Sequence, residues 1–513
     1  MLFPRRSIAL AVVLALGVAA AACKDDPQEA RDRRERERDP TSTTNGPEAE
    51  TSLDWRECGV GECADLTVPL DYDDPDPAAP VAVGDPEGET IEVAFFRVPA
   101  TDPDERIGSL LVNPGGPGAS GVDFVANNGF FFPDELRAHF DIVGFDPRGT
   151  GDTEPIECVR SLDEVLGFDY SPDSPDERES LEAGVEEFTR QCEQRYGDLL
   201  DHISTQDTAR DLDRFREASG EEQLSFLGFS YGTYIGAVYA HFFPDRVRAF
   251  ALDAAVDPEL SSLEVNLEQA AGFERSLNVF LDDCATDPSC AFYNGGDPHG
   301  AYDALAAAID ADPLEAGGRR LGPNELDLGV ANVLYSGEAG WTDLADALAA
   351  AAAGDPEPML VQTDTYTERN DDGSDGGILQ PFWAIGCLDG ESIGEPADYP
   401  ALEEQFRAAA PRFGITFLYS ALVCSLWPAE PVPSPNPLDA SGAAPILVIG
   451  TTGDPATPYQ WAESLADVLS SGVLLTAEGE QHVAYFSNVC ASDIIDRYLV
   501  DLEVPTPGTR CEE

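Results

Sequence analysis

The chain alternates between short apolar runs and longer amphipathic stretches. Runs at 90–98 (TIEVAFFRV), 109–115 (SLLVNPG), 140–146 (FDIVGFD), 224–230 (LSFLGFS) and 247–256 (VRAFALDAAV) are β-rich and short. Their length, with glycine, proline and polar residues around them, predicts strands. Helix-like or glycine-rich segments separate several of them, which predicts a mostly parallel sheet flanked by helices, an α/β fold. The rhythm breaks after Pro258. Residues 259–438 are dominated by helix-like stretches such as LEVNLEQAAGFERSLNVFLDD and TDLADALAAAAAG. A proline-rich linker spans 427–445, after which strand patterns resume at 445–454 (PILVIGTTGD) and 472–482 (GVLLTAEGEQH). The simplest organisation is an α/β core in two parts, 53–258 and 439–513, interrupted by a large helical insertion at 259–438.

The N-terminus has a different character. Arg5 and Arg6 precede an apolar run from Ser7 to Val18, too short for a comfortable membrane span. Ala20, Ala21 and Ala22 then lead directly to Cys23. This reads as an export signal over 1–22. Its end resembles a bacterial lipoprotein signal, in which Cys23 is lipidated; ordinary cleavage after Ala22 is the alternative. Residues 23–52 have almost no large apolar side chains and are expected to be a disordered, charged tether. The expected location is therefore the cell surface, anchored at Cys23, or the medium.

Cysteine parity supports export. The chain has 11 cysteines. Removing Cys23 leaves an even set, consistent with five disulfides in an oxidising compartment. Spacing does not decide the connectivity; pairing nearest neighbours (58–63, 158–192, 284–290, 387–424, 490–511) is the simplest arrangement. No cysteine has a histidine at zinc-finger spacing, so no metal is expected.

The charge changes the picture further. There are 97 acidic against 30 basic residues, a formal net charge of −67. Such a surface repels nucleic acid and anionic lipid, leaving membrane contact only to a possible N-terminal anchor. A monomer is expected. The glycine-rich stretch NPGGPGASG (113–121) could suggest phosphate binding, but no Gly-Lys-Ser/Thr accompanies it, so no nucleotide or other cofactor is expected.

The candidate chemistry centres on Ser230 in GFSYG. A strand, then Gly-x-Ser-x-Gly, then a helix is the context of a nucleophile elbow. A serine hydroxyl needs a base, and the base needs an orienting carboxylate. Of 5 histidines, His139 and His202 precede the serine, against the expected chain order. His241 lies three helical turns beyond it, and His299 sits in a turn-like stretch of the insertion. His482 follows the last strand-like run. Asp454 follows the strand before it, with Asp467 as a runner-up on a helix-like segment. The oxyanion donors are expected from the backbone of Tyr231 and of Gly116, with Gly115 next.

The blocks VNPGGPGASG, DIVGFDPRGTGDT, the whole of 205–258 around GFSYG, WAIGCLDG, GTTGDPATPYQWA and QHVAYFSNVC resemble the α/β-hydrolase fold. More narrowly, they resemble the secreted actinobacterial tripeptidyl aminopeptidases, relatives of proline iminopeptidase. The resemblance spans roughly 55–513. It implies Ser230 as the acylated nucleophile, Asp454 as the orienting acid and His482 as the base. It further implies that the insertion is a cap over the site, and that Asp389 helps hold the free amine of a peptide substrate. Three positions depart from the family pattern: Ala254 replaces a glycine, no glycine pair flanks His482, and GTGDT ends without the usual serine. The expected activity is serine exopeptidase chemistry at polypeptide N-termini. An esterase or lipase using the same triad, and a binding lipoprotein with a relic site, are the alternatives.

Overall fold

The computed structural model describes residues 53–72, 89–370, 373–374 and 376–512. The export signal, Cys23 and the tether lie outside the described residues. The strands are β1 (Arg56–Cys58), β2 (Gly61–Pro69), β3 (Thr90–Val98), β4 (Gly108–Asn113), β5 (Phe140–Phe145), β6 (Leu224–Phe229), β7 (Val247–Asp253), β8 (Leu314–Ala316), β9 (Arg319–Leu321), β10 (Ile446–Thr451), β11 (Gly472–Ala477) and β12 (Arg510–Cys511). All but β8 and β9 form a single 10-stranded sheet in the order β1-β2-β3-β5-β4-β6-β7-β10-β11-β12.

Every residue of β4, β5, β6 and β10 is buried. That explains why they read as unbroken apolar runs: helices cover both faces of a parallel sheet, and no position faces water. The pairs β5–β4, β4–β6, β6–β7, β7–β10 and β10–β11 are all parallel. Only β1, β2 and β3 run antiparallel at one edge. The parallel set has one consequence that matters for function. The loops that follow β4, β6, β10 and β11 all leave from the same edge of the sheet, where open α/β sheets build their sites.

β7 and β10 are neighbours, yet the chain between them runs from 254 to 445. Part of this segment has its own core. Phe273, Leu277, Tyr302, Leu326, Leu344 and Met359 belong to a cluster separate from the sheet. The later part does not: Trp383, Leu388, Leu418 and Leu438 join the cluster that contains β6 and β7. The helix Leu379–Asp389 (LQPFWAIGCLD) is buried at eight positions, as an apolar composition all round its circumference requires. The segment is not wholly helical. β8 and β9 form a hairpin across Gly317 and Gly318, with φ +61° and +85°. A Gly-Gly pair supplies the positive φ that a two-residue hairpin loop demands.

The five disulfides are Cys58–Cys63, Cys158–Cys192, Cys284–Cys290, Cys387–Cys424 and Cys490–Cys511. Nearest-neighbour pairing therefore holds at every bridge.

Candidate active site

β6 ends at Phe229, and the helix Tyr231–Phe242 begins at once. Ser230 alone makes the turn, with φ 53° and ψ −124°. A serine at positive φ is strained, and such strain gathers at functional sites. The flanking glycines are steric necessities. A Cβ on Gly228 would lie 2.5 Å from the Gly232 carbonyl, and one on Gly232 2.8 Å from Asn113 Oδ1. The turn is fastened from both sides. Ser230 N–H donates to the Asp253 carbonyl (2.9 Å), and Thr233 Oγ1 donates to the Ser230 carbonyl (2.6 Å).

Asp454 lies in the loop after β10 and is buried, as is the side chain of His482, in the loop after β11. His482 Nδ1 stands 2.9 and 2.8 Å from the two Asp454 carboxylate oxygens. A carboxylate only accepts, so the proton of this contact sits on Nδ1 and the lone pair is left on Nε2. Asp454 is itself held. It accepts from the backbone N–H of Ala456 (2.8 Å) and Thr457 (2.9 Å) and from Thr457 Oγ1 (3.0 Å). Thr457 Oγ1 also lies 3.4 Å from His482 Nδ1.

Asp253, at the end of β7, connects the two halves. Its carbonyl receives the Ser230 N–H, while its carboxylate accepts from the N–H of Ala484 (3.0 Å) and Tyr485 (2.8 Å). Burial pushes its carboxyl up to about 6, against the pull of those donors and of His482. One residue thus links the serine turn, through its backbone carbonyl, to the histidine loop, through its carboxylate.

The loop after β4 packs on the same turn. A Cβ on Gly115 would fall 2.7 Å from the Phe229 carbonyl and 2.9 Å from Ser230 Cβ. The Gly115 N–H is already given to Asn113 Oδ1 (3.0 Å). Tyr231 is the first residue of its helix, where N–H groups have no intrahelical partner.

Asp389 ends the helix Leu379–Asp389. Its carboxylate accepts from Thr205 N–H (2.8 Å), Thr205 Oγ1 (2.6 Å) and the Tyr231 hydroxyl (3.4 Å). Burial raises its carboxyl to about 7 despite these donors. The other histidines have partners elsewhere. His139 Nδ1 contacts the Glu135 carbonyl, His299 Nε2 contacts Asp282, His241 faces Asp439, and His202 lies 4.0 Å from Asp71. Asp467 sits on the helix Tyr459–Val468.

Two of the departures from the family pattern coincide with backbone strain. Ala254 has φ 60° and Val483 φ 70°. A glycine would occupy either freely; a β-branched valine there is an outlier. Thr457 and Asp253 were not singled out from sequence. Thr457 was within reach, because Asp-x-x-Thr after a strand is the spacing of a side chain that caps its own turn. Asp253 closes a run of apolar residues and carries no such local mark.

A sheet edge that offers a strained serine, an acid-held imidazole and a glycine-rich loop defines an α/β-hydrolase of the serine-hydrolase class. Comparison with known proteins agrees. Residues 108–295 match the family described as alpha/beta hydrolase fold, and residues 410–511 match that described as TAP-like protein. Serine protease Hip1 of Mycobacterium tuberculosis is 32% identical over 494 residues, covering 91% of this chain and 92% of that protein. Carboxylesterase B of the same organism is 36% identical over 475 residues, covering 89% and 88%. The tripeptidyl aminopeptidase of Streptomyces lividans is 31% identical over 476 residues, covering 88% and 85%. The chain belongs to the TAP-like family of α/β-hydrolases.

Proposed function

We propose that this protein is an exported serine aminopeptidase that releases short peptides from the N-termini of polypeptides. In this reading His482 Nε2 takes the proton of Ser230 Oγ as the oxygen attacks the scissile carbonyl. Asp454 keeps the imidazole in the required tautomer. The backbone N–H groups of Tyr231 and Gly116 receive the oxyanion, Gly116 being preferred over Gly115 because the latter's N–H is spent on Asn113. His482 then returns its proton to the leaving amine, and water resolves the acyl-enzyme. The segment 259–438 acts as a cap that admits chain ends. Asp389 receives the substrate's ammonium group: a carboxylate has about four acceptor sites, and three donors occupy it. The protein acts as a monomer, lipid-anchored at Cys23 or freely secreted.

The observation that carries this reading is the contact of His482 Nδ1 with both Asp454 oxygens (2.8 and 2.9 Å), on a loop tied through Asp253 to the turn of Ser230. The peptidase names among the relatives support peptide substrates. Carboxylesterase B among them favours a second reading, hydrolysis of small acyl esters by the same groups. One experiment separates the two. A long peptide is incubated with the enzyme, first with a free and then with an acetylated N-terminus, and the products are weighed by mass spectrometry. Stepwise release from the free peptide alone supports the aminopeptidase. Cleavage of neither peptide alongside turnover of p-nitrophenyl butyrate favours the esterase.

A further inference from the structure

We propose that the segment between β7 and β10 positions the acid and base as well as lying over the site, and that Arg275 is its principal positioning residue. This rests on the assignment of Asp454 and His482 above and extends it to residues outside the sheet.

Arg275 lies on the helix Ser262–Thr286. Its guanidinium donates to the Gly453 carbonyl, one residue before Asp454, and to Glu480 Oε2 (2.7 Å), two residues before His482. One planar fork therefore spans the acid loop and the base loop, the geometry for which arginine is suited and lysine is not. The two loops also meet directly, Gly453 N–H donating to the Gly479 carbonyl (2.8 Å).

The same helix grips the acid loop along one face. Gln269 Nε2 donates to the Ala456 carbonyl (2.8 Å). At Gly272 a Cβ would stand 2.4 Å from the Pro455 carbonyl. Positions 269, 272 and 275 are spaced by three and share that face.

The base loop is gripped from a second element. His482 N–H donates to the Tyr335 carbonyl (2.9 Å). The Tyr335 ring meets the imidazole edge-on, with centroids 4.9 Å apart and planes at 88°. The imidazole is thus fixed by Asp454 at Nδ1 and by Tyr335 at its ring and its backbone, and Tyr335 belongs to the inserted segment.

The Arg275–Glu480 pair is partly exposed, with side chains 40% and 27% accessible. Pairs of this kind add little to stability. Its significance is geometric: displacements near 1 Å of a reacting group can cost about a hundredfold in rate.

The test compares wild type, Arg275→Gln, Arg275→Lys and Glu480→Gln on a free-amine tripeptide p-nitroanilide and on p-nitrophenyl acetate. Arg275→Gln is expected to lower kcat about ten- to a hundredfold on both substrates, with KM unchanged within twofold. Arg275→Lys is expected to recover part of the loss, because lysine reaches one loop but not both. Glu480→Gln is expected to lower kcat on both substrates by less, and it carries the test if Arg275→Gln does not fold. A rise in KM confined to the peptide would make Arg275 a substrate contact and overturn the proposal, as would unchanged kcat. The low-field proton resonance of His482 Nδ1–H gives a readout independent of turnover. Its broadening in Arg275→Gln supports the clamp; an unaltered signal overturns it. If wild type hydrolyses nothing and resists fluorophosphonate labelling, the hydrolase reading fails while this signal still decides the clamp.

Discussion

The sheet edge and the inserted segment hold the site in opposite ways. At the edge, each chemical group sits within a few residues of a strand end. The parallel register aligns those ends, and the turns are set by glycine and by strain. The inserted segment reaches the loops around those groups with a backbone carbonyl that accepts from His482 N–H (Tyr335) and an ion pair to the base loop (Arg275–Glu480), while its Asp389 carboxylate accepts from Thr205 and the Tyr231 hydroxyl. Strand ends provide groups at fixed positions. The segment contacts the loops that carry two of those groups, through Arg275 and Tyr335. The edge carries the three side chains and the segment carries groups that contact their loops, and variants can separate the two contributions.

The largest effect should come from the edge. Asp454→Asn keeps the shape but removes the acceptor pair that dictates the Nδ1–H tautomer. The expected result is a loss of about 10⁴ in kcat on peptide and ester alike, measured by initial rates with active-site titration. Equal activity on either substrate would mean that the edge is not the engine.

A smaller effect, confined to one substrate, is expected from Asp389 of the segment. Asp389→Asn should raise KM for free-amine peptides about tenfold and leave p-nitrophenyl esters unchanged. The pH dependence sharpens it. With its carboxyl near 7, Asp389 is charged above that pH, and a peptide amine stays charged below about 8. Wild-type KM for free-amine peptides should therefore climb as pH falls through 7, while the Asn variant stays flat. A parallel climb in both would remove Asp389 from amine recognition.

The smallest effect tests the strain. Ala254→Gly and Val483→Gly place glycine where φ is 60° and 70°. A side chain in that region costs roughly 1–2 kcal/mol, partly offset by the greater freedom of glycine in the unfolded chain. Each variant should gain up to about 1 kcal/mol in chemical denaturation. A loss at either position would show that the methyl or isopropyl group packs more favourably than the backbone strains.

Much of this was legible in the sequence for local reasons. A fully buried strand reads as a continuous apolar run, so β4, β5, β6 and β10 stood out, and β7 and β11 were legible with them although some of their positions are only partly buried. β2 did not, because only Ala64 and Val68 of its GECADLTVP are buried and no continuous apolar run forms. The elbow was legible because Gly228 and Gly232 answer a steric demand two residues either side of Ser230. His482 and Asp454 were candidates by chain order among few histidines, and the structure brings their side chains together. The five bridges followed from parity and proximity. The β8–β9 hairpin escaped notice, although Gly317-Gly318 marked it, because helix-like composition dominated its surroundings.

Composition, period and turn chemistry therefore determined by themselves the buried strands of the α/β core, the sharp turn at Ser230 and the glycine-rich loop beside it. All of these depend on neighbours within a few positions, where chain geometry alone restricts the outcome. Only the tertiary structure decided that Asp253 would join the serine turn to the histidine loop, that Thr457 would brace Asp454, and that Arg275 and Tyr335 would hold both loops from outside the sheet. Asp253 lies 231 residues from Ala484, and Arg275 lies 205 from Glu480. At such separations nothing local biases one partner over another; the pairing is settled when the sheet closes and the segment packs down on it.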